Sequence, residues 1–208
     1  MRNYLVLSLC LIVLSPMPSR AQSPTSLETQ ENQLTYQELY ESGIPFGTFL
    51  EQAEKRTEMW HDNFGKGSVP ESIQQRLESL TAKYYLLAVA IDGCSDSVNT
   101  IPYLAHLSNR SDLIEMRIVT PDAGREIMEA NRTPDDRAAT PTVLVLDASF
   151  RKIGAFIERP SDLQAWALGE GKKLDGSNFM KAKFAWYDND LGVQTMSEVL
   201  NIIESNIN

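Results

Sequence analysis

Cysteine is nearly absent from this chain: among 208 residues only Cys10 and Cys94 occur. Two sulfurs cannot build a disulfide scaffold or a four-cysteine zinc site. Histidine is as scarce, at His61 and His106. His106 follows Cys94 by twelve residues, which on one helix is about 18 Å and too far for a Cys–His dyad, so a surface or capping role is expected for both histidines. The apolar run Leu5–Leu14 falls short of the about 20 residues a membrane-spanning helix needs. There is no Gly-rich phosphate loop, no Gly-x-Ser-x-Gly, no internal repeat and no low-complexity tract. Positive charge is also lacking. Nineteen Lys and Arg stand against 28 Asp and Glu, a net charge of −9 with a pI near 4.8, and such an anion repels phosphate backbones, so nucleic acid is not an expected partner. Asp188-Asn189-Asp190-Leu191-Gly192 hints at a calcium loop, but its glycine comes one residue early and Val199 stands where a closing glutamate is needed. A turn into the last helix explains it better, and neither a metal nor any other cofactor is expected.

What is present reads as an ordinary globular protein with extensions: 42% hydrophobic and 23% charged residues. Residues 1–21 run from Arg2 through Leu5–Leu14 to Pro16, Pro18 and Ser19-Arg20-Ala21. A basic start, a short apolar stretch and small residues before a cleavage point after Ala21 make a signal peptide, so export to a periplasmic or extracellular location is expected, with membrane contact only through an uncleaved signal. Without Arg2 and Arg20 the 19 basic residues become 17 against 28 acidic ones, a charge of −11, and Cys94 is the one cysteine left. Residues 22–33 are a polar tether, residues 34–83 a helical extension and residues 84–208 the main domain.

In the extension, Leu34, Tyr36, Leu39 and Tyr40, then Phe46, Phe49, Leu50, Ala53, Met59 and Trp60, then Ile73, Leu77 and Leu80 predict two or three helices, broken at Gly43-Ile44-Pro45 and between Gly65 and Pro70. Residues 84–91, Tyr-Tyr-Leu-Leu-Ala-Val-Ala-Ile, form an apolar run expected of a central strand covered on both faces. A helix over about Ser95–Leu107, a strand around Ile114–Val119, a helix over Pro121–Ala130, then strands Thr142–Leu146 and Lys152–Ile157 follow, the last two as a hairpin. Helices begin at Ser161 and about Thr195. This order is an α/β layout with one right-handed βαβ unit.

The chemistry centres on Ile91-Asp92-Gly93-Cys94-Ser95-Asp96-Ser97, between the central strand and the next helix. A thiol at a helix N-terminus faces unpaired amides and the positive dipole end, which favour thiolate, while the carboxylates of Asp92 and Asp96 oppose it. Ser97 can donate a hydroxyl hydrogen bond to the sulfur, or simply suit a helix start.

This turn, the Thr140-Pro141 step before a later strand, and Gly154-Ala155-Phe156-Ile157-Glu158-Arg159-Pro160 after it resemble the thioredoxin family over about residues 46–170. They are most similar to the branch whose turn reads Trp-Cys-Gly-Asp and a small residue, with Pro102 where that branch has a kinking proline. The resemblance implies a thioredoxin-like fold, a central mixed sheet flanked by helices, with a cis-proline at Pro141 beside Cys94 and the Thr140 backbone presented to an extended substrate. It also marks departures. Ser97 replaces the second cysteine of Cys-x-x-Cys, Gly93 replaces the tryptophan, and Ala88 stands where thioredoxins carry a buried acid. A hydroxyl cannot close a disulfide, so a mixed disulfide at Cys94 must be resolved by an external thiol. The expected function is therefore monothiol exchange at Cys94 with a low-molecular-weight thiol or a client protein. The alternatives are a redox-inactive binding module using the groove beside Thr140-Pro141, and a Cys94-linked homodimer.

Overall fold

The computed structural model describes residues 35–207. The expected signal at 1–21 and tether at 22–33 lie outside the described residues. Four helices come first: α1 (Tyr36–Ser42), α2 (Phe46–Gln52), α3 (Thr57–Lys66) and α4 (Glu71–Glu78). Then follow β1 (Tyr84–Val89), α5 (Ile101–Arg110), β2 (Ile114–Val119), α6 (Arg125–Ala130), β3 (Thr142–Leu146), β4 (Lys152–Ile157), α7 (Ser161–Leu168), α8 (Gly176–Asp190) and α9 (Val193–Glu204). The strands form one sheet in the order β2-β1-β3-β4, with β1 and β2 parallel and the other pairs antiparallel. This is the mixed, helix-flanked sheet of a thioredoxin-like α/β fold.

β1 is apolar along its whole length because both of its faces are covered. Leu86 and Ala88 join Val143 and Val145 of β3 on one face, under Trp60 of α3, Leu104 of α5 and Met196, Val199 and Leu200 of α9. Leu87 and Val89 join Leu144 and Leu146 on the other, against Leu39 and Tyr40 of α1 and Ile127 of α6. The two faces alternate residue by residue, as the pleat requires. At the edge of the sheet, Ile44 between α1 and α2 forms a two-way backbone bridge with Ile118 of β2, at 2.9 and 2.8 Å. The described part of the helical extension thus buries its apolar stripes against the same sheet.

Four segments differ from the sequence expectation, one of them α8, for which no helix was expected. The second expected helix is split into α2 and α3 by Ala53–Arg56, with Arg56 in the left-handed region at φ 54°. No glycine or proline marks this break, which is imposed by contacts with the Cys94 turn. The helix expected over Ser95–Leu107 is a 3-10 turn at Ser97–Asn99 followed by α5. Pro102 therefore lies in the first turn of α5, where its missing N–H costs nothing, rather than kinking a longer helix. The helix expected over Pro121–Ala130 starts only at Arg125, after a run of turns. At the α8–α9 junction Leu191 and Gly192 are both left-handed, and a Cβ on Gly192 would fall 2.1 Å from the Tyr103 ring. That junction is a tight turn into the last helix, with the Asp190 carboxylate accepting from the Gln194 amide.

Candidate functional site

β1 ends at Val89, and the chain turns through Asp92-Gly93 so that Cys94 emerges where the sheet gives way to helix. Cys94 is half-buried and unpaired. Its thiol donates to the Thr140 carbonyl at 3.1 Å, and its sulfur accepts from the Ser97 amide at 3.4 Å. The Thr140–Pro141 peptide bond is cis, and Pro141 leads directly into β3. The structure therefore brings Cys94, Ser97, Thr140 and Pro141 together.

Their contacts fix details that the sequence left open. Ser97 reaches the sulfur through its backbone, not its side chain; its hydroxyl is fully buried and meets no hydrogen-bond partner. The Thr140 backbone, expected to be presented to an extended substrate, has its carbonyl occupied by the thiol of Cys94 itself. Cys94 heads a 3-10 turn instead of α5, so the amides nearest it are those of that turn.

The two sides of the turn are held by different chemistry. On the upstream side the α2–α3 break wraps the turn. The amides of Glu54 and Lys55 donate to Asp92 Oδ2 at 2.9 and 2.8 Å, Arg56 Nε donates to the Gly93 carbonyl at 2.8 Å, and the fully buried Trp60 donates Nε1 to the Asp92 carbonyl at 3.0 Å. Burial pushes the Asp92 carboxyl up, but the amides of Lys55, Glu54 and Gly93 outweigh it and hold the group below its ordinary value. Below the turn, Asn63 of α3 donates to the Val98 carbonyl at 2.8 Å and to Asn99 Oδ1 at 3.0 Å, while Asn99 donates to the Ser95 carbonyl at 2.7 Å.

On the downstream side Asp96 is only 5% exposed. Its carboxylate accepts from Lys183 Nζ at 2.9 Å, Tyr187 Oη at 2.9 Å and an Arg159 guanidinium nitrogen at 3.4 Å. Lys183 also donates to Ser95 Oγ at 2.7 Å. Arg159 bonds Glu158 at 2.7 Å, and Glu158 in turn takes both terminal nitrogens of Arg137 at 3.1 and 2.9 Å. Burial, then the Asp96 charge, pushes the Tyr187 phenol well above its ordinary range, so it remains a donor. Asp96 was expected to oppose the thiolate as a bare carboxylate; it is instead the anionic centre of a buried, compensated cluster.

Lys183 and Tyr187 are the residues that sequence reasoning missed. α8 has no continuous apolar stripe because the face it buries carries these two polar groups, and hydrophobic spacing therefore gives no sign of it. The available signals were Asp175, which caps α8 by accepting from the Asn178 amide, and the i, i+4 spacing of Lys183 and Tyr187, which puts both on one face. His106 lies apart from the thiol: its Nε2 donates to the Phe64 carbonyl at 2.9 Å in the last turn of α3, with the two rings stacked. Among the described residues no group of three or more His, Cys, Asp and Glu side chains is placed to hold a metal ion, and no helix is long and apolar enough to cross a membrane.

The thioredoxin family model matches residues 43–177. A protein of unknown function from Pseudomonas aeruginosa superimposes with a TM-score of 0.66 at 23% identity, and an HIV epitope-scaffold with 0.65 at 26% identity. Each alignment covers 84% of this chain and 100% of the other. No curated protein matches the chain.

Proposed function

The chain belongs to the thioredoxin family, and we propose that it is an exported monothiol member whose sulfur, Cys94, exchanges with disulfides one bond at a time. The observation that carries this reading is the half-buried Cys94 thiol, facing the Thr140 carbonyl at 3.1 Å beside Pro141, with Ser97 where a second thiol would be needed. Export rests on the sequence of residues 1–21.

The chemistry balances without a second cysteine. The Cys94 thiolate attacks one sulfur of an incoming disulfide, a Cys94–sulfur bond forms as the substrate's sulfur–sulfur bond breaks, and the departing thiolate takes up a proton. The Cys94 sulfur is oxidised and the departing sulfur reduced. A low-molecular-weight thiol then attacks the mixed disulfide and frees Cys94, carrying the other half away as a new disulfide. Entry of a substrate sulfur displaces the thiol hydrogen bond to Thr140, which frees that carbonyl to accept from a substrate amide, an edge-pairing mode of recognition.

Incubation of the mature chain with oxidised glutathione, read by mass spectrometry, tests the reading. A single glutathione adduct that forms on the unaltered chain, is absent from Cys94→Ser and is removed by reduced glutathione is the expected result. Insulin reduction stays near background, because Ser97 cannot complete a two-electron cycle. An unreactive Cys94, or robust insulin turnover, would overturn the proposal, the first pointing to a redox-inactive binding module.

A further inference from the structure

We propose that Lys183 of α8 is the positioning residue of the Cys94 turn: pinned between Ser95 Oγ and Asp96 Oδ2, it cancels the carboxylate two residues from the thiol and fixes the turn against α8. This inference rests on the reading of Cys94 as a reactive thiol.

Lys183 is only 2% exposed. Burying an ammonium is expensive unless it is paired and hydrogen-bonded, so its position is explained by its partners. Those partners are two consecutive residues, Ser95 at 2.7 Å and Asp96 at 2.9 Å, and they immediately follow Cys94. An uncompensated carboxylate at Asp96 would repel a developing thiolate through a low-dielectric interior, where the repulsion is weakly screened. With Lys183 in place the nearest buried pair is neutral overall.

The remaining charges around the turn do not duplicate this role. Arg159 approaches Asp96 at a longer 3.4 Å and is shared with Glu158, itself bound by Arg137, which Asp135 holds on its far side. Tyr187 is a neutral donor on α8. On the other flank, Asp92 is engaged by the amides of Glu54 and Lys55 and by the charge of Lys55, whose side chain runs along Gly93, and Arg56 is spent on the Gly93 carbonyl. Lys183 is thus the cation that meets the side chains of both Ser95 and Asp96, and among the described residues it bonds no second carboxylate.

The test is the rate of Cys94 alkylation by iodoacetamide, a neutral reagent, followed against pH in the mature chain. Lys183→Met is expected to slow alkylation about tenfold near neutrality, to move the profile towards higher pH, and to leave the plateau rate in alkaline solution unchanged; tenfold corresponds to one unit of pH on that profile. Lys183→Arg should restore most of the rate. Asp96→Asn with Lys183→Met, which removes both charges together, should lie close to the unaltered chain. If Lys183→Met does not fold, Asp96→Asn is compared with that double variant, and loss of the ammonium should slow alkylation between them. An unshifted profile, or slowing by one factor at every pH with no recovery in Lys183→Arg, overturns the inference. Alkylation needs no exchange partner, so a chain that is alkylated normally but forms no glutathione adduct sinks the exchange reading alone, while the profiles of the Lys183 variants still decide this inference.

Discussion

Asp92, two residues before Cys94, is partly exposed and takes its hydrogen bonds from the backbone amides of Glu54 and Lys55. Asp96, two residues after Cys94, is buried and takes its bonds from the side chains of Lys183, Tyr187 and Arg159. The two carboxylates flank one sulfur at equal spacing along the chain, yet their partners belong to different classes. A carboxylate near water is satisfied by neutral amides, and it organises the nearby α2–α3 break. A carboxylate withdrawn from water needs full charges, and it ties the turn to α8 and to the segment after β4. Burial, not position in the motif, decides whether an acid beside this thiol acts as a cap or as the centre of an ion cluster.

The comparison breaks most visibly on truncation. Asp96→Ala leaves Lys183 and Arg159 buried with their shared anion gone, and should lower the unfolding free energy by about 3–5 kcal/mol, the usual cost of removing one partner from a buried ionic contact. Asp92→Ala removes two amide contacts that water can partly replace and should cost about 1–2 kcal/mol. Urea unfolding of both variants measures the difference directly. Equal losses would mean that the two acids do the same structural work, and the distinction between them would fall.

Most of the sheet was legible because its determinants are local. The unbroken apolar run of β1, the alternation of Ile114, Met116 and Ile118 in β2, and the β3–β4 hairpin each carry their own period. The thiol and the Thr140-Pro141 step were legible as motifs. The clamp around the thiol was not, because its signals are split across distant segments. Asp96 and Arg159 were both visible as residues, but nothing along the chain says that they meet 63 positions apart. Lys183 lies on a helix whose buried face is polar, so apolar spacing passes over it. The α2–α3 break shows the same limit, since residues 53–56 read as helix until Asp92 offers their amides a better acceptor.

A smaller test sharpens the upstream half. Arg56 holds the left-handed conformation at φ 54° while donating to the Gly93 carbonyl at 2.8 Å. Arg56→Ala keeps the backbone strain and loses the bond, and should cost about 1 kcal/mol. Arg56→Gly loses the same bond but removes a left-handed penalty of roughly 1 kcal/mol, so the two effects should nearly cancel. Thermal unfolding of the pair reads this directly: a glycine variant no more stable than the alanine variant would show that the break is not strained and that Arg56 acts through its side chain alone.

The smallest effect concerns acid. Burial raises the Asp92 carboxyl, but the amides of Lys55, Glu54 and Gly93 and the charge of Lys55 more than offset it, so the folded chain holds it below its ordinary value of 3.8. A folded-state value depressed in this way contributes stability that is fully present above the unfolded value and is lost as pH falls through the folded one. Asp92→Asn removes the charge at every pH while nearly preserving shape. The stability gap between Asp92→Asn and the unaltered chain should therefore be widest near neutrality and close as pH drops well below 3.8, where Asp92 is itself protonated. A gap that stays constant across that range would show that the amides of Glu54 and Lys55 do not discriminate between carboxylate and carboxamide, and the loop would then be held by hydrogen-bond geometry without help from charge.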